Sequence, residues 1–229
     1  PVGEPLPRIT YMLHKPYGYV STTRDPQGRR TVLDLAPKEH GRLYPVGRLD
    51  YDATGLILLT NDGELAQRLT HPRYQVPRTY RVVVEGLMDD AALTRLAGGL
   101  ELDGRPVSTQ VKLLKKGEDK TVLEIMVWEG RYHLIKRLLE GVGYPVVRLK
   151  RVAFGPLRLG QLPRGSCRPL TRQEMTNLEL TVTHRYLKEK SPRRAQAPGA
   201  PPLPAAPGGR KPRRFRVTLP AAGAPGKEE

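Results

Sequence analysis

The segment Gly47-Arg48-Leu49-Asp50-Tyr51-Asp52-Ala53-Thr54-Gly55-Leu56-Ile57-Leu58-Leu59-Thr60-Asn61-Asp62-Gly63 decides how the rest of the chain is read. Leu56 to Leu59 is an unbroken apolar run of buried-strand length. Gly47 and Gly55 permit tight or left-handed backbone on either side of a loop, and Asp52 and Thr54 supply turn-forming side chains. Asn61-Asp62-Gly63 closes the strand with turn chemistry. Asp50 is therefore a carboxylate held on a tight loop that leads into a core strand, two residues after Arg48. That is the setting of a nucleophile or base with a fixed cationic neighbour, but the local pattern alone favours an Asp that merely caps a turn.

Charge separates these readings. Lys and Arg number 39 against 23 Asp and Glu, a formal net charge of +16. An excess of this size points to a polyanion, because each phosphate neutralised by Lys or Arg releases condensed counterions. Nucleic acid is the first partner to consider. No apolar stretch approaches the length of a membrane span, and there is no signal-peptide or lipidation pattern, so a cytoplasmic protein without a membrane partner is expected. Cys167 is the only cysteine, which excludes an intramolecular disulfide and a thiolate zinc cluster and leaves an ordinary thiol.

Outward from the Asp50 segment, the pattern predicts strands at Ile9 to His14 and Tyr19 to Thr22, joined by a Lys15-Pro16-Tyr17-Gly18 turn. Thr31 to Leu35 reads as a short helix or strand. An amphipathic helix opens at Gly63-Glu64 and stops at His71-Pro72. A strand over Tyr80 to Glu85 precedes a helix from Asp89-Asp90 to Gly98-Gly99. Paired strands at Val107 to Leu114 and Thr121 to Trp128 follow, then a basic amphipathic helix over Tyr132 to Leu139. Strand-like Pro145 to Phe154, a Gly155-Pro156 turn and a helix from Thr171 complete the body. Strands outnumber helices and are joined by hairpin-sized turns, so an α+β domain with a largely antiparallel sheet is expected. From Ser191 onward, prolines recur among Ala and Gly with almost no large apolar residue, and such a segment cannot bury enough surface to offset its ordering entropy. It carries eight Lys and Arg against Glu228 and Glu229.

Five motifs in order and spacing resemble the RsuA/RluB family of ribosomal RNA pseudouridine synthases. They are Lys15-Pro16-Tyr17-Gly18; Val46 to Asp50 continuing to Asp62-Gly63; Arg78-Thr79-Tyr80-Arg81-Val82; Glu129-Gly130-Arg131-Tyr132-His133-Leu134-Ile135-Lys136-Arg137; and Arg148-Leu149-Lys150-Arg151-Val152 with Gly155-Pro156-Leu157. The resemblance covers about Ile9 to Leu178. It implies the pseudouridine synthase fold, a largely antiparallel mixed sheet flanked by helices with a central catalytic cleft. It divides the chain into residues 1–8, the remnant or linker of an N-terminal RNA-binding domain, residues 9–187, the catalytic domain, and residues 188–229, a basic disordered tail.

The resemblance further implies isomerisation of a uridine in ribosomal RNA without cofactor or metal. The bond from the base nitrogen to the sugar is broken, the base turns, a bond from its carbon 5 to the sugar forms, and the carbon 5 proton leaves. A stacked base must first be extruded and held on an aromatic face. By the same resemblance Asp50 is the catalytic carboxylate, Arg48 displaces or holds the RNA, and Tyr80 stacks on the uracil. Ile135 walls the pocket, and Lys136 pairs with Asp50 and keeps it ionised. Lys15, Arg131 and Arg137 are candidate substrate-binding residues. Asp52 and Asp62 are left as turn residues. Asp50 and Asp52 are expected to diverge, with no His or Cys close enough to complete a metal site.

The motifs divide on substrate. Tyr132 to Arg137 looks like the branch acting on small-subunit RNA; Ser21 to Arg29, Leu149 to Leu157 and Leu162 to Leu170 look like the branch acting on large-subunit RNA, which is favoured. A monomer is expected. A noncatalytic RNA-binding or ribosome-assembly factor, and a metal-dependent nuclease using Asp50 and Asp52, remain as alternatives.

Overall fold

The computed structural model describes residues 7–39 and 41–190, without side-chain detail beyond Thr183. The sequence expectations for residues 1–6 and for the tail from Ser191 lie outside the described residues. In chain order the elements are β1 (Thr10–Lys15), β2 (Tyr44–Val46), β3 (Thr54–Thr60), α1 (Gly63–Thr70), β4 (Arg78–Glu85), α2 (Asp90–Ala97), β5 (Leu100–Leu102), β6 (Arg105–Val107), β7 (Thr109–Lys116), β8 (Lys120–Val127), α3 (Leu134–Gly141), β9 (Val146–Phe154), β10 (Leu157–Arg158), β11 (Cys167–Pro169) and α4 (Arg172–Lys190).

Among the described residues nine strands form one mixed sheet whose main path runs β11-β1-β3-β9-β4-β8-β7, with β10 on β9 and β2 on β3. Its pairings are antiparallel except β3 with β9, where Thr54 faces Lys150 and Gly55 faces Arg151. β5 and β6 form a separate hairpin. Leu56 to Leu59 is buried on both faces of the sheet, as the continuous apolar run requires. Ile57 and Leu59 enter one core with α2 and α3; Leu56 and Leu58 enter the other with α1 and α4. That alternation is the period of a strand.

Gly55 sits at the parallel crossing. Its φ is +112°, and a Cβ built there would stand 2.2 Å from the carbonyl oxygen of Arg151, so no side chain fits. The loop carrying Asp50 is thereby pressed against β9. Asp62 does more than turn the chain: its carboxylate accepts from the Leu65 amide at 3.0 Å and caps α1.

Three expected elements differ. Tyr19 to Thr22 is not a strand; a single bridge joins Val20 to Thr31. Val107 to Leu114 divides at Ser108, because Val107 closes a hairpin with Leu100 while Thr109 starts the pairing with β8. The helix expected from Tyr132 starts at Leu134, since His133 is left-handed at φ +49° and holds Tyr132 outside it. Thr31 to Leu35 resolves as a 3-10 turn over Val32–Leu35.

Candidate active site

Asp50 stands at the start of a turn in which the Ala53 amide donates to the Asp50 carbonyl at 3.1 Å. Three groups hold this turn. Ser21 Oγ donates to the Leu49 carbonyl at 2.9 Å and accepts from the Leu49 amide at 3.1 Å. The Gly18 amide donates to the Tyr51 carbonyl at 3.0 Å. Beneath it, Lys15 Nζ donates to the carbonyls of Ala53 at 2.7 Å, Pro16 at 3.2 Å and Tyr51 at 3.3 Å. With its backbone so tied, the Asp50 carboxylate has little freedom beyond its own two torsions.

The carboxylate opens into a cleft of about 320 Å³ lined by Arg48, Asp50, Tyr80, Glu129, Arg131, His133 and Ile135, with Arg78, Arg151 and Phe154 at its inner wall. Four of the expected site residues, Asp50, Arg48, Tyr80 and Ile135, thus meet at one cavity, joined by Arg131. Tyr80 and Ile135 are buried and belong to the same core cluster, whereas Arg48 is exposed. The guanidinium carbons of Arg78 and Arg151 lie 5.5 and 5.2 Å from the Phe154 ring centre. Both arginines are buried; burial pulls the Arg78 guanidinium down, opposed by Tyr80 and Glu129. Arg151 Nε donates to the Leu56 carbonyl at 2.7 Å.

The charged cluster differs from expectation. Lys136 Nζ lies 3.7 Å from Asp50 but bonds both oxygens of Asp52 at 2.8 Å. Partial burial opposes the Lys136 ammonium, yet the bond to Asp52 and the charges of Asp52 and Asp50 outweigh it and raise its pKa. The Asp52 carboxyl is held below its usual range, its desolvation being exceeded by that same bond and by the charge of Lys136. Asp52 is therefore a partner of the cluster rather than a turn residue alone. The two carboxylates do not diverge, because one ammonium bridges them. A histidine is also at hand: His133 Nε2 is 3.6 Å from Asp50 Oδ1. Among the described residues, no group of three or more His, Cys, Asp or Glu is placed to hold a metal ion.

Lys15 is the clearest correction. Its side chain is fully buried, and its ammonium serves the loop carbonyls, leaving no surface for an RNA phosphate. Arg137 pairs with Asp103, with Nη1 donating at 2.9 Å, and is not among the residues lining the cleft. Arg131 lines it while bound to Glu129 at 2.8 Å and to the Leu102 carbonyl at 2.6 Å.

The sequence reading also passed over His133, Arg78 and Arg151 as site residues. A signal existed for two of them. Arg78 lies two residues before Tyr80 on a strand and so shares its face, and His133 lies three residues before Lys136 at a helix start. For Arg151 the position is set by the long-range pairing of β9 between β3 and β4, which no local pattern encodes.

In this α+β sheet a loop carboxylate and Tyr80 line one cleft, with an ammonium 3.7 Å from the carboxylate. Residues 9–141 match the RNA pseudouridylate synthase family, and the chain belongs to it. It is 43% identical over 189 residues to an uncharacterized RNA pseudouridine synthase of Aquifex aeolicus (strain VF5), covering 82% of this chain and 76% of that protein. It is 37% identical over 179 residues to ribosomal large subunit pseudouridine synthase B of Bacillus subtilis (strain 168), covering 77% of this chain and 73% of that protein. A solved crystal structure of a pseudouridylate synthase superposes with a TM-score of 0.65 at 33% identity, covering 75% of this chain and 74% of that one.

Proposed function

We propose that this enzyme isomerises a specific uridine of large-subunit ribosomal RNA to pseudouridine, with Asp50 as the reacting carboxylate and no cofactor. The observation that carries this reading is the meeting of Asp50, Tyr80 and Ile135 at one small cleft with Lys136 at 3.7 Å from the carboxylate. A cleft of about 320 Å³ is at the small end of ligand sites and suits one everted nucleoside better than a length of helix. Large-subunit RNA is favoured by the name of the Bacillus subtilis relative.

Each wall of the cleft then has a task. Tyr80 offers its ring face to the extruded uracil, and Ile135 closes the other side against water. Arg48, exposed at the mouth, holds the strand from which the base has left. Asp50 either adds covalently to the substrate and is expelled again before product leaves, or removes a sugar proton and returns it; in either case the nitrogen–carbon bond to the sugar breaks, the base turns within the pocket, and carbon 5 bonds the sugar and yields its proton. Lys136 offsets the negative charge of Asp50 and Asp52 in a partly dry site, and His133 Nε2 stands 3.6 Å from Asp50. Buried Arg78 and Arg151 add positive potential at the inner wall.

The test of the substrate is direct. Unmodified large-subunit and small-subunit RNA are incubated separately with the protein, and pseudouridine is mapped by carbodiimide labelling and primer extension. A single new stop in the large-subunit RNA is expected. Stops in small-subunit RNA alone would overturn the assignment.

A further inference from the structure

Tyr132 and Tyr17 are the two most exposed large apolar side chains among the described residues, at 69% and 65%, and Tyr51, at 45%, is also exposed. Exposed tyrosines scattered singly need no explanation. These are not scattered. Tyr51 lies between Asp50 and Asp52 and meets Tyr17 edge to face, with ring centres 5.7 Å apart at 61°. Tyr132 stacks on His133 at 3.8 Å and 17°, and His133 in turn faces Asp50. Each pair is thus one peptide bond or one contact away from the Asp50–Lys136–Asp52 cluster.

The backbone is arranged to keep them there. His133 takes the left-handed conformation that delays the start of α3 and leaves Tyr132 outside the helix. Gly18, at φ +82°, lets the turn after Tyr17 close on Tyr51, and its amide donates to the Tyr51 carbonyl. Neither pair is needed to fill a core, since more than 40% of each tyrosine stays open. A partner with flat, exposed, uncharged faces and a negative backbone satisfies both the rings and the net charge of +16. An intact duplex hides its base faces in the stack and does not meet that description.

We infer that the Tyr17–Tyr51 and Tyr132–His133 pairs are two stacking shelves for the unstacked nucleotides flanking the target uridine, and that the substrate is recognised as a single-stranded loop. This rests on the proposed enzymatic reading and adds to it a substrate shape. Extruding one base leaves its neighbours without a stacking partner on one side, and a tyrosine face at the cleft mouth takes the place of the departed base.

The test uses the full chain and two probes: a fluorescein-labelled nine-nucleotide oligouridylate, and the same strand annealed to oligoadenylate. Affinities are measured by anisotropy for the wild type, for Tyr132→Leu, for Tyr17→Leu with Tyr51→Leu, and for Tyr132→Trp. Leucine keeps apolar bulk and removes the ring. Each leucine variant is expected to weaken single-strand binding about 5- to 100-fold with the salt slope unchanged, because every phosphate keeps its cationic neighbours. Duplex binding stays as it was, and Tyr132→Trp binds the single strand at least as tightly as the wild type. Single-strand affinity that does not move in the leucine variants, equal losses on both probes, or failure of the wild type to bind the single strand would overturn the inference. Carbon 5 tritium release by the wild type, measured on ribosomal RNA in parallel, reports on the isomerase reading by itself, so the two can fail separately.

Discussion

Lys15 carries a charge into the interior with no exposed surface, and of the three carbonyls that receive it those of Tyr51 and Ala53 belong to the Asp50 turn and the third is that of Pro16. Burial pushes its ammonium down to about 8, against the pull of Asp50 and Asp52. A Lys whose folded pKa is depressed binds its proton less tightly in the folded state than in the unfolded chain. The cost of burying the charge is therefore fully present below about pH 8 and is relieved as pH rises toward the ordinary value of 10.5. Lys15→Met removes both the cost and the donors. At pH 7 it is expected to destabilise the protein by about 2 kcal/mol, because buried carbonyls lose their partners. In urea titrations the advantage of the wild type should then widen from pH 8 to pH 10, by at most about 1.4 kcal/mol per pH unit. A gap that stays flat or narrows over that window would show that Lys15 is not held as described.

At the scale of elements, β11 and α4 are joined by Arg168 and Glu174, whose two bonds measure 2.7 and 2.8 Å. Glu174 also accepts from the Thr171 amide, while Thr171 Oγ1 accepts from the Glu174 amide, a reciprocal cap on the helix. The bond from Arg168 holds the Glu174 carboxyl down at about 2. Because this folded pKa is depressed, the stabilisation is present above the unfolded value of 4.5 and is lost as pH falls toward 2. Glu174→Gln retains the cap and loses the charge, so it should cost about 1 kcal/mol at neutral pH. The difference from wild type, read from denaturant midpoints, should close between pH 4.5 and pH 2. Elements of this kind were legible where local chemistry fixes them. The apolar run of β3, the stop at His71-Pro72, and Asp89 and Gly98 at the ends of α2 all announce themselves in sequence. The short strands β2, β10 and β11 and the β5–β6 hairpin did not, because three residues or fewer hold too little pattern and depend on partners far along the chain. The site divides in the same way. Asp50 and Tyr80 stand in motifs, whereas the role of Lys15 under the loop and the bridging of Asp50 and Asp52 by Lys136 depend on how a strand and a helix from opposite ends of the domain pack.

At the scale of the whole molecule, charge sets the expected behaviour toward RNA. Residues 191–229 hold eight Lys and Arg against two Glu. If these bind phosphates, deleting them should flatten the slope of log affinity against log salt on ribosomal RNA fragments, by about 0.7 to 0.9 for each phosphate no longer neutralised. An unaltered slope would assign RNA binding to the synthase domain alone. Within that domain the sheet places one carboxylate at the centre of a cleft walled by Tyr80 and Ile135 and neighboured by Lys136 and His133. In the proposed reaction this carboxylate does the chemistry. That role is tested most directly by incubating the protein in EDTA with ribosomal RNA tritiated at carbon 5 of uridine, and counting tritium released to water. The wild type should release one tritium per target site, and Asp50→Asn, folded to the same denaturant midpoint within about 1 kcal/mol, should release none above background. Equal release by the two proteins, or release by the wild type only when divalent ions are restored, would mean that Asp50 is not the reacting carboxylate.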